Sequence, residues 1–452
     1  MKNEFDVVVC GGGTAGVVAA LAAARVPGIS VALIEKFGHL GGTMSMGGPI
    51  MGFYGPERKK IVSGIGEEII EQLVADGDSP GHIVYPRWNS FTPFNVESYK
   101  RLVLQNVVRA NITLFLHSLV YKAEVKNDRI NAVWLTNGEE ELRISGSVFI
   151  DATGDAVLAA KTPCEFIKPE YLQAGSQMIR LGGFDKEKFV HFVSQHPEEA
   201  RGFKEGWSVE LLEANKYIAF CGFFSLLKEG NDLHDLGLNR EFVCFNTIEP
   251  KDAIVMVASR ADAFWPMSIQ ELTNAEVQTR EQDAKLVKLL RKNIPGFENI
   301  FVLSTSHQIG VRETRRIQGV YTLTEQDALE SRFFDDTIAL SGYPMDVHYS
   351  GKNNNRFTLL KRSFFVPYGT MYSPKVKNLL MAGRSISCDN AVFGSTRIQS
   401  VCMATGHAAG LAAAQACLHS NDVGSIDTNQ LREELRKQRA IVDPVPDLLC
   451  NH

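Results

Sequence analysis

The sequence lacks the cysteine spacings that mark metal sites and dithiol redox centres. Its eight cysteines are scattered through 452 residues without a CxxC or CxxxxC pair: Cys10, Cys164, Cys221, Cys244, Cys388, Cys402, Cys417 and Cys450. This pattern argues against a structural zinc site, an iron–sulfur cluster or a dithiol redox pair, and no metal is expected. Unpaired cysteines are typical of a reducing compartment, so we predict free thiols and a cytoplasmic protein.

The chain also lacks an excess of positive charge. Lys and Arg total 47 against 52 Asp and Glu, a net charge of −5, whereas binding to a nucleic-acid backbone needs a positive excess. The uncharged run Val7 to Ala24 has the length of a membrane span, but four glycines interrupt it and Glu4 and Asp6 precede it. We therefore predict neither a nucleic-acid partner nor a membrane segment.

What the sequence does contain is an opening βαβ unit. The apolar run Phe5 to Cys10 predicts a buried strand, the small residues from Thr14 to Arg25 a buried helix, and Val31 to Ile34 a second strand. Gly11-x-Gly13-x-x-Gly16 lies between strand and helix, where glycines permit a tight turn and the approach of a pyrophosphate. Glu35 follows the second strand and can accept hydrogen bonds from a ribose. The unit is predicted to bind a dinucleotide.

The remaining chain predicts that this domain is interrupted by a second one. We expect helices at residues 64–76 and 96–110, then a meander of strands at 112–125, 129–136 and 141–150. Polar helices and aromatic clusters follow, and a strand at 379–382 and a small-residue helix at 398–418 come later. We divide the chain into a dinucleotide-binding domain (1–160, 301–320 and 365–452, including the tail), an inserted substrate domain (161–300) and a loop or cap (321–364).

Three further segments resemble those of flavoprotein oxidoreductases with a glutathione-reductase-type FAD domain. They are Glu35-Lys36 with Gly41-Gly42-Thr43, the return segment Asp151 to Asp155, and Asn378 to Arg384 with the helix after Ser395. The resemblance implies an α/β fold, in which a doubly wound FAD-binding domain of that type carries an inserted α+β substrate domain. It implies FAD as cofactor, bound by Gly11, Gly13, Thr14, Ala15, Gly16, Glu35, Lys36, Gly41, Gly42, Thr43, Val120, Ala152, Thr153, Gly154, Asp155, Gly383, Arg384, Ile398 and Gln399.

The final helix offers a way to stabilise a reduced flavin. Thr396-x-x-Gln399 is interpreted as a capping box, and the small residues from Ala404 to Gly410 permit a close approach. A helix N-terminus directed at the flavin pyrimidine would stabilise the negative charge that develops on reduction. The alternative is a helix that only packs against the sheet.

Two features of related flavoproteins are missing. No second GxGxxG occurs between residues 160 and 300, so no NAD(P)H domain is predicted, and Gly383-Arg384 stands where aromatic hydroxylases carry Gly-Asp. Gly310-x-Arg312-Glu313-x-Arg315-Arg316 resembles the broad FAD-dependent oxidoreductase family, on the succinate dehydrogenase and fumarate reductase side. His39 does not fall on the position of the histidine that tethers flavin in some of those relatives. Non-covalent FAD is therefore expected.

Arg312 and His348 are the predicted catalytic residues. An arginine can bind a substrate carboxylate through two hydrogen bonds, although Glu313 could instead pair with an arginine and lock the two domains together. Asp346-x-His348 lies in a loop at residues 341–355 that could close over the flavin, with His348 as acid or base. A lone loop histidine is more often a surface residue.

The predicted activity is hydride transfer between FAD and a small polar or anionic substrate, with an external electron acceptor or donor that the sequence does not identify. Two alternatives stay open at this point. One is an FAD-binding module with a structural or partner-binding role. The other is a flavin-dependent transferase that modifies RNA, which the acidic charge balance disfavours.

Overall fold

The computed structural model describes residues 2–169, 171–200, 208–225, 242–249, 252–262, 264–350, 356–419 and 422–445. The strands, in chain order from β1 to β21, are Glu4–Cys10, Val31–Ile34, Ile50–Met51, Ile83–Tyr85, Asn89–Thr92, Thr113–Phe115, Leu119–Lys126, Arg129–Thr136, Glu141–Asp151, Phe166–Ile167, Ile179–Gly182, Ala219–Gly222, Val243–Ile248, Ala253–Met256, Phe301–Thr305, Arg316–Ile317, Thr337–Ser341, Met345–Val347, Arg356–Thr358, Phe364–Pro367 and Leu379–Met381. The helices α1 to α10 are Thr14–Ala24, Ile65–Ala75, Val96–Arg109, Lys186–Gln195, Val209–Ala214, Ile269–Asn293, Glu325–Leu329, Asn390–Thr396, Gln399–His419 and Thr428–Lys437.

A parallel sheet forms the base of the first unit, so the chain is a mixed α/β protein. Its parallel strands lie in the order β6-β2-β1-β9-β21, with β1 at the centre. The apolar runs of β1 and β2 are largely buried, as is usual for strands covered on both faces. The strand order changes direction between β1 and β9. Ligands of open α/β sheets bind outside the carboxyl ends of the strands at such a point.

The predicted meander is confirmed in two of its three strands. β8 and β9 form an antiparallel pair, and β7 joins β8. The single strand expected at 112–125 is wrong, because the chain turns at His117, which has a φ of 53°. β6 therefore joins β2 in the parallel sheet, while β7 alone belongs to the meander.

Helices α1 and α9 pack against each other through their small residues. A side chain on Gly406 would collide with the carbonyl oxygen of Ala15, and one on Gly410 with that of Ala19. The small-residue run thus serves helix packing, whatever the helix N-terminus does. By length and composition α9 could cross a membrane, and among the described helices it alone could, but 83% of its apolar window is buried inside the protein.

The second unit is an antiparallel sheet in the order β12-β13-β14-β11-β15. One face of this sheet packs into an aromatic core, in which Phe189 contacts Phe220, Phe245 and Phe297 at ring-centroid distances of 4.9, 5.2 and 5.7 Å. Two parts of the predicted insertion, residues 201–207 and 226–241, lie outside the described residues. The other face of the sheet turns toward the first unit.

Two predicted domain boundaries are wrong. The strand at Phe301–Thr305 was assigned to the return of the FAD-binding domain, but it pairs with β11 in the second sheet. Residues 321–364 were assigned to a cap, but β17 and β20 pack into the core of the first unit. Only the hairpin of β18 and β19 remains as a cover over the cavity described below. Residues 446–452 of the predicted tail lie outside the described residues.

Candidate functional site

A cavity of about 680 Å³ lies between the two units. The carboxyl ends of β1 and β9 bring Gly11 and Ala152 to one side of it, and the second sheet contributes Met178 and Val255 on the other. All predicted site residues line this cavity except Gly16, Gly41 and Val120. The structure therefore brings together side chains and loops that are separated by more than 300 positions in the sequence.

The glycine loop after β1 has the geometry of a phosphate-binding turn. Gly11 has a φ of 99°, and a Cβ there would lie 2.5 Å from the carbonyl oxygen of Ala152. A Cβ on Gly16 would collide with Gly11, which explains why Gly16 serves helix–strand packing and does not reach the cavity. A Cβ on Gly13, in contrast, would have no atom closer than 3.8 Å. The backbone at Gly13 therefore has open space on the cavity side, as a bound pyrophosphate requires.

Glu35 braces this loop from the end of β2. Its carboxylate accepts hydrogen bonds from the backbone N–H groups of Gly12 at 2.7 Å and Phe37 at 2.9 Å. Burial raises the pKa of Glu35, against the effect of these hydrogen bonds. Gly41 packs on Tyr99 and thereby positions the cavity-lining Gly42.

Val120 does not take the place that the resemblance implies. It lies in β7 with a buried side chain in the core of the first unit, and it is not among the residues that line the cavity. Val120 follows the turn at His117 and belongs to the antiparallel meander, whereas the sequence predicted one strand over 112–125.

An aromatic cluster at the Glu35 end of the cavity was not foreseen. The ring centroid of His307, from the segment after β15, lies 4.7 Å from that of Phe37 and 4.8 Å from that of His39. Phe37 and His307 line the cavity, whereas His39 does not. Burial lowers the pKa of His307 to about 4. The two units thus meet at this end of the cavity, through neutral aromatic rings.

Arg384 joins the return segment, residues 151–155, to the segment 310–316 that carries the arginine-rich motif. Its Nε donates to the carbonyl oxygen of Gly154 at 2.6 Å, and its other nitrogens donate to the Asp155 carboxylate and the Val311 carbonyl. Both Arg384 and Asp155 line the cavity. Each therefore already has a partner in the protein and holds the shape of this part of the cavity.

The predicted capping box at Thr396 is wrong. Thr396 ends α8, and α9 begins three residues later at Gln399. Ile398 and Gln399 line the cavity as predicted, together with Cys402. The first amides of α9 have no partner within their own helix, as at any helix start. Those amides leave the helix N-terminus available to a negatively charged group.

His348 and Asp346 form a hydrogen-bonded pair in the cavity wall. Asp346 lies in β18, and its Oδ2 is 2.9 Å from Nε2 of His348. The backbone N–H of His348 donates to the side chain of Gln173 at 3.2 Å. The pairing of β18 with β19 therefore holds Asp346 and His348 in place. The prediction that these two residues lie in a mobile loop is wrong. Residues 351–355 of the predicted loop lie outside the described residues.

The electrostatics of the pair favour a neutral imidazole beside a carboxylate. Burial, helped by Arg312 and Arg397, lowers the pKa of His348 to about 3, although Asp346 opposes the shift. Burial disfavours ionisation of Asp346, but His348, Arg397 and Arg312 outweigh it and hold its pKa well below the usual range. Nε2 then donates its proton to Asp346 and Nδ1 carries the lone pair. Nδ1 is buried and has no hydrogen-bond partner among the described residues.

The arginine-rich motif divides into two parts with different roles. Arg312 lines the cavity, and its Nη1 donates to Oγ of Ser176 at 2.9 Å. Glu313 and Arg316 form an ion pair in which each side chain is 1% exposed, away from the cavity lining. Arg315 approaches the backbone of Asp155. The ion pair agrees with the interpretation in which Glu313 pairs with an arginine, while Arg312 is the charged residue of the motif that lines the cavity.

Arg397 is a further cavity residue that the sequence analysis missed. Its Nη2 donates to the carbonyl oxygen of Asp346 at 3.0 Å, and its side chain is 12% exposed. Its Nε is buried without a hydrogen-bond partner in the part of the chain that the structure describes. The available signal was its position directly before the cavity-lining Ile398 and Gln399.

Comparisons with known proteins identify the family of the chain. No curated protein sequence matches the chain. Similar solved structures include a geranylgeranyl bacteriochlorophyll reductase-like protein from Thermoplasma acidophilum (12% identity, 97% of this chain and 84% of that one, TM-score 0.49). They also include a p-nitrophenol 4-monooxygenase from Pseudomonas putida (10%, 97% and 85%, TM-score 0.49) and a triple mutant of a flavin-dependent brominase (13%, 96% and 84%, TM-score 0.47). The sequence model of the FAD dependent oxidoreductases matches residues 6–435, so the protein belongs to that family of enzymes and FAD is its cofactor.

Proposed function

We propose that this oxidoreductase transfers a hydride between non-covalently bound FAD and a small polar or anionic organic substrate. The observation that carries the proposal is one cavity in which the His348–Asp346 pair, Arg312 and Arg397 lie beside the glycine loop and the N-terminus of α9. When bound, FAD supplies the ring that accepts or donates the hydride.

The protein groups divide the remaining work between them. Arg312 and Arg397 orient the substrate, since guanidinium groups suit planar anions such as carboxylates. His348 takes a proton from the substrate, or returns one, at Nδ1. Asp346 is a positioning residue: it holds the imidazole ring through Nε2 and balances the positive charge that forms when Nδ1 is protonated.

The proposal extends to the type of fold and the setting of the enzyme. The order β6-β2-β1-β9-β21 and the loop at Gly11 to Gly16 support a doubly wound FAD-binding domain of the glutathione-reductase type. The partners would be a small-molecule substrate and an external electron acceptor or donor in the cytoplasm. The net charge of −5 weighs against the RNA-modifying alternative.

A substrate screen followed by one substitution tests the role of His348. Organic acids, sugars and amines are mixed anaerobically with the holoenzyme, and loss of the oxidised flavin absorbance identifies a reductant. With that compound, His348→Ala should reduce flavin about 100-fold more slowly, because proton transfer loses its acid–base group. The exposed His191 on α4 provides the control variant His191→Ala, which should behave as wild type. Unchanged reduction in His348→Ala would remove His348 from the mechanism.

The pH profile separates positioning from direct catalysis. Since the pKa of His348 is lowered to about 3, wild-type flavin reduction should stay constant down to about pH 5, where an ordinary histidine is already protonated. Asp346→Asn removes the carboxylate charge that balances a protonated imidazole and leaves Nε2 only a neutral amide partner. It should slow reduction at neutral pH while FAD content stays unchanged. A wild-type profile in Asp346→Asn would contradict the charge-balancing role of Asp346.

A further inference from the structure

Two cysteines that are 23 positions apart in the sequence form a disulfide, Cys221–Cys244. They lie directly opposite each other on the antiparallel strands β12 and β13. The expectation of eight unpaired thiols is wrong at these two positions. Their pairing depends on strand register and not on a short spacing in the sequence, so the search for CxxC and CxxxxC motifs could not find it.

The disulfide lies on the face of the second sheet that turns toward the cofactor cavity. Side chains on a strand alternate between faces, so Cys244 and Asn246 share one face while Phe245 between them points into the aromatic core. Cys244 and Asn246 line the cavity together with Val255 and Met178 from neighbouring strands. Cys221 is only 1% exposed, whereas Cys244 is half-buried. The Cys244 sulfur is therefore the approachable end of the bond.

The other described cysteines are free thiols, and most of them are buried. Among the described residues, five cysteines are free thiols: Cys10, Cys164, Cys388, Cys402 and Cys417. Burial raises the pKa of Cys388 to about 11 and those of Cys402 and Cys417 to about 12, so these thiols are poor nucleophiles. Among the described cysteines, the oxidised pair is therefore Cys221–Cys244.

Strand pairing already holds the two cysteines in place without the bond. β12 and β13 pair over four residues each, and Phe220 and Phe245 beside the cysteines lie in the same aromatic core, 5.5 Å apart. The bond lies where a molecule in the cavity can reach it.

We propose that Cys221–Cys244 is a second redox centre, which accepts an electron pair from reduced flavin. In this step the S–S bond breaks and two S–H bonds form. The disulfide takes up two electrons and one proton from the reduced flavin and a second proton from solvent, and the flavin returns to its oxidised state. The resulting dithiol can pass the electrons to an external disulfide by thiol–disulfide exchange. This proposal rests on FAD occupying the cavity, and not on the roles assigned to His348 and Arg312.

Reductive titration of the holoenzyme tests the proposal without a substrate. The protein is purified without thiols and titrated anaerobically with dithionite while the oxidised flavin absorbance is followed, and thiols are then trapped with N-ethylmaleimide and mapped by mass spectrometry. Wild type should consume twice the dithionite needed for its flavin, and Cys221 and Cys244 should become alkylated as the flavin bleaches. Cys221→Ser with Cys244→Ser should consume half as much, while the matched single variant Cys417→Ser should titrate as wild type.

An apoprotein sample shows whether the cofactor carries the electrons. At the same dithionite dose and time, the disulfide of the apoprotein should stay intact, since its reduction depends on flavin. Complete flavin bleaching at the single dose with Cys221 and Cys244 still bonded would overturn the proposal. Equal alkylation of apoprotein and holoenzyme would also overturn it, as would purification of the pair as two thiols that do not reoxidise. A failed His348 test would leave these outcomes unaffected, because dithionite replaces the substrate.

Discussion

The two ends of the cavity are built from different parts of the chain. The cofactor end consists mainly of backbone: the turn at Gly11 to Gly16, the amides that start α1 and α9, and the segment after β9. The substrate end consists of charged side chains, Arg312, Asp346, His348 and Arg397, which come from three separate segments. A backbone site is encoded by local sequence, whereas a side-chain site depends on how distant segments pack.

The largest effect on cofactor binding is expected from filling the backbone site. Gly13 has a φ of −75°, which any residue adopts, and a Cβ there would meet no atom closer than 3.8 Å. Gly13→Val should therefore fold, but its side chain would occupy the space of the pyrophosphate. FAD affinity should fall more than about 100-fold, which corresponds to about 3 kcal/mol. Flavin content after purification and titration of the apoprotein with FAD measure the loss.

Gly28→Ala is the control for this substitution. Gly28 has a φ of 84° with no atom within 4 Å of an added Cβ, so the variant carries backbone strain of about 1 kcal/mol but touches nothing near the cavity. It should retain FAD. A yellow Gly13→Val protein with wild-type flavin content would show that the pyrophosphate does not lie against this loop.

The same contrast explains what could be predicted from the sequence. The bounds of β2 and β8 match the prediction, and nearly all predicted FAD-binding residues line one cavity, because strand–turn–helix patterns are local. The pairing of β15 with β11, the cavity position of Arg397 and the Cys221–Cys244 bond all depend on tertiary contacts between distant segments. His348 was predicted, but its fixed orientation against Asp346 depends on the pairing of β18 with β19.

Two arginines of the arginine-rich motif are expected to differ in effect: Arg316 affects stability and Arg312 affects activity. Arg316→Met leaves the buried Glu313 carboxylate without its partner, which should cost about 3–5 kcal/mol of unfolding free energy. Arg312→Met should change stability by less than about 1 kcal/mol and instead weaken the substrate-dependent reduction of flavin. Chemical denaturation and anaerobic flavin reduction, measured on both variants, separate the two roles.

A double variant tests whether the lost stability comes from the stranded charge. Glu313→Leu combined with Arg316→Met replaces the ion pair by apolar side chains and should recover most of the loss in Arg316→Met. If the double variant is no more stable than Arg316→Met alone, the loss comes from the contacts of Arg316 with Asn390 and Phe393, which both variants lack, and not from the stranded carboxylate.

A further predicted effect concerns a second buried histidine, which contrasts with His348. His407 in α9 is 1% exposed and contacts the neutral side chain of Gln438 at 3.0 Å, and burial lowers its pKa to about 4. Its folded pKa lies below the unfolded value of about 6.5, so the unfolded state binds the proton first and stability falls as the pH drops from about 6.5 toward 4. At pH 5 the loss from this group is about 2 kcal/mol, at about 1.4 kcal/mol for each pH unit.

Denaturation curves between pH 5 and 8 should therefore be less pH-dependent in His407→Gln than in wild type, whereas flavin reduction should keep its wild-type pH profile. Equal pH dependence of stability in the two proteins would mean that His407 is protonated in the native state, and that burial alone does not keep a histidine of this fold neutral.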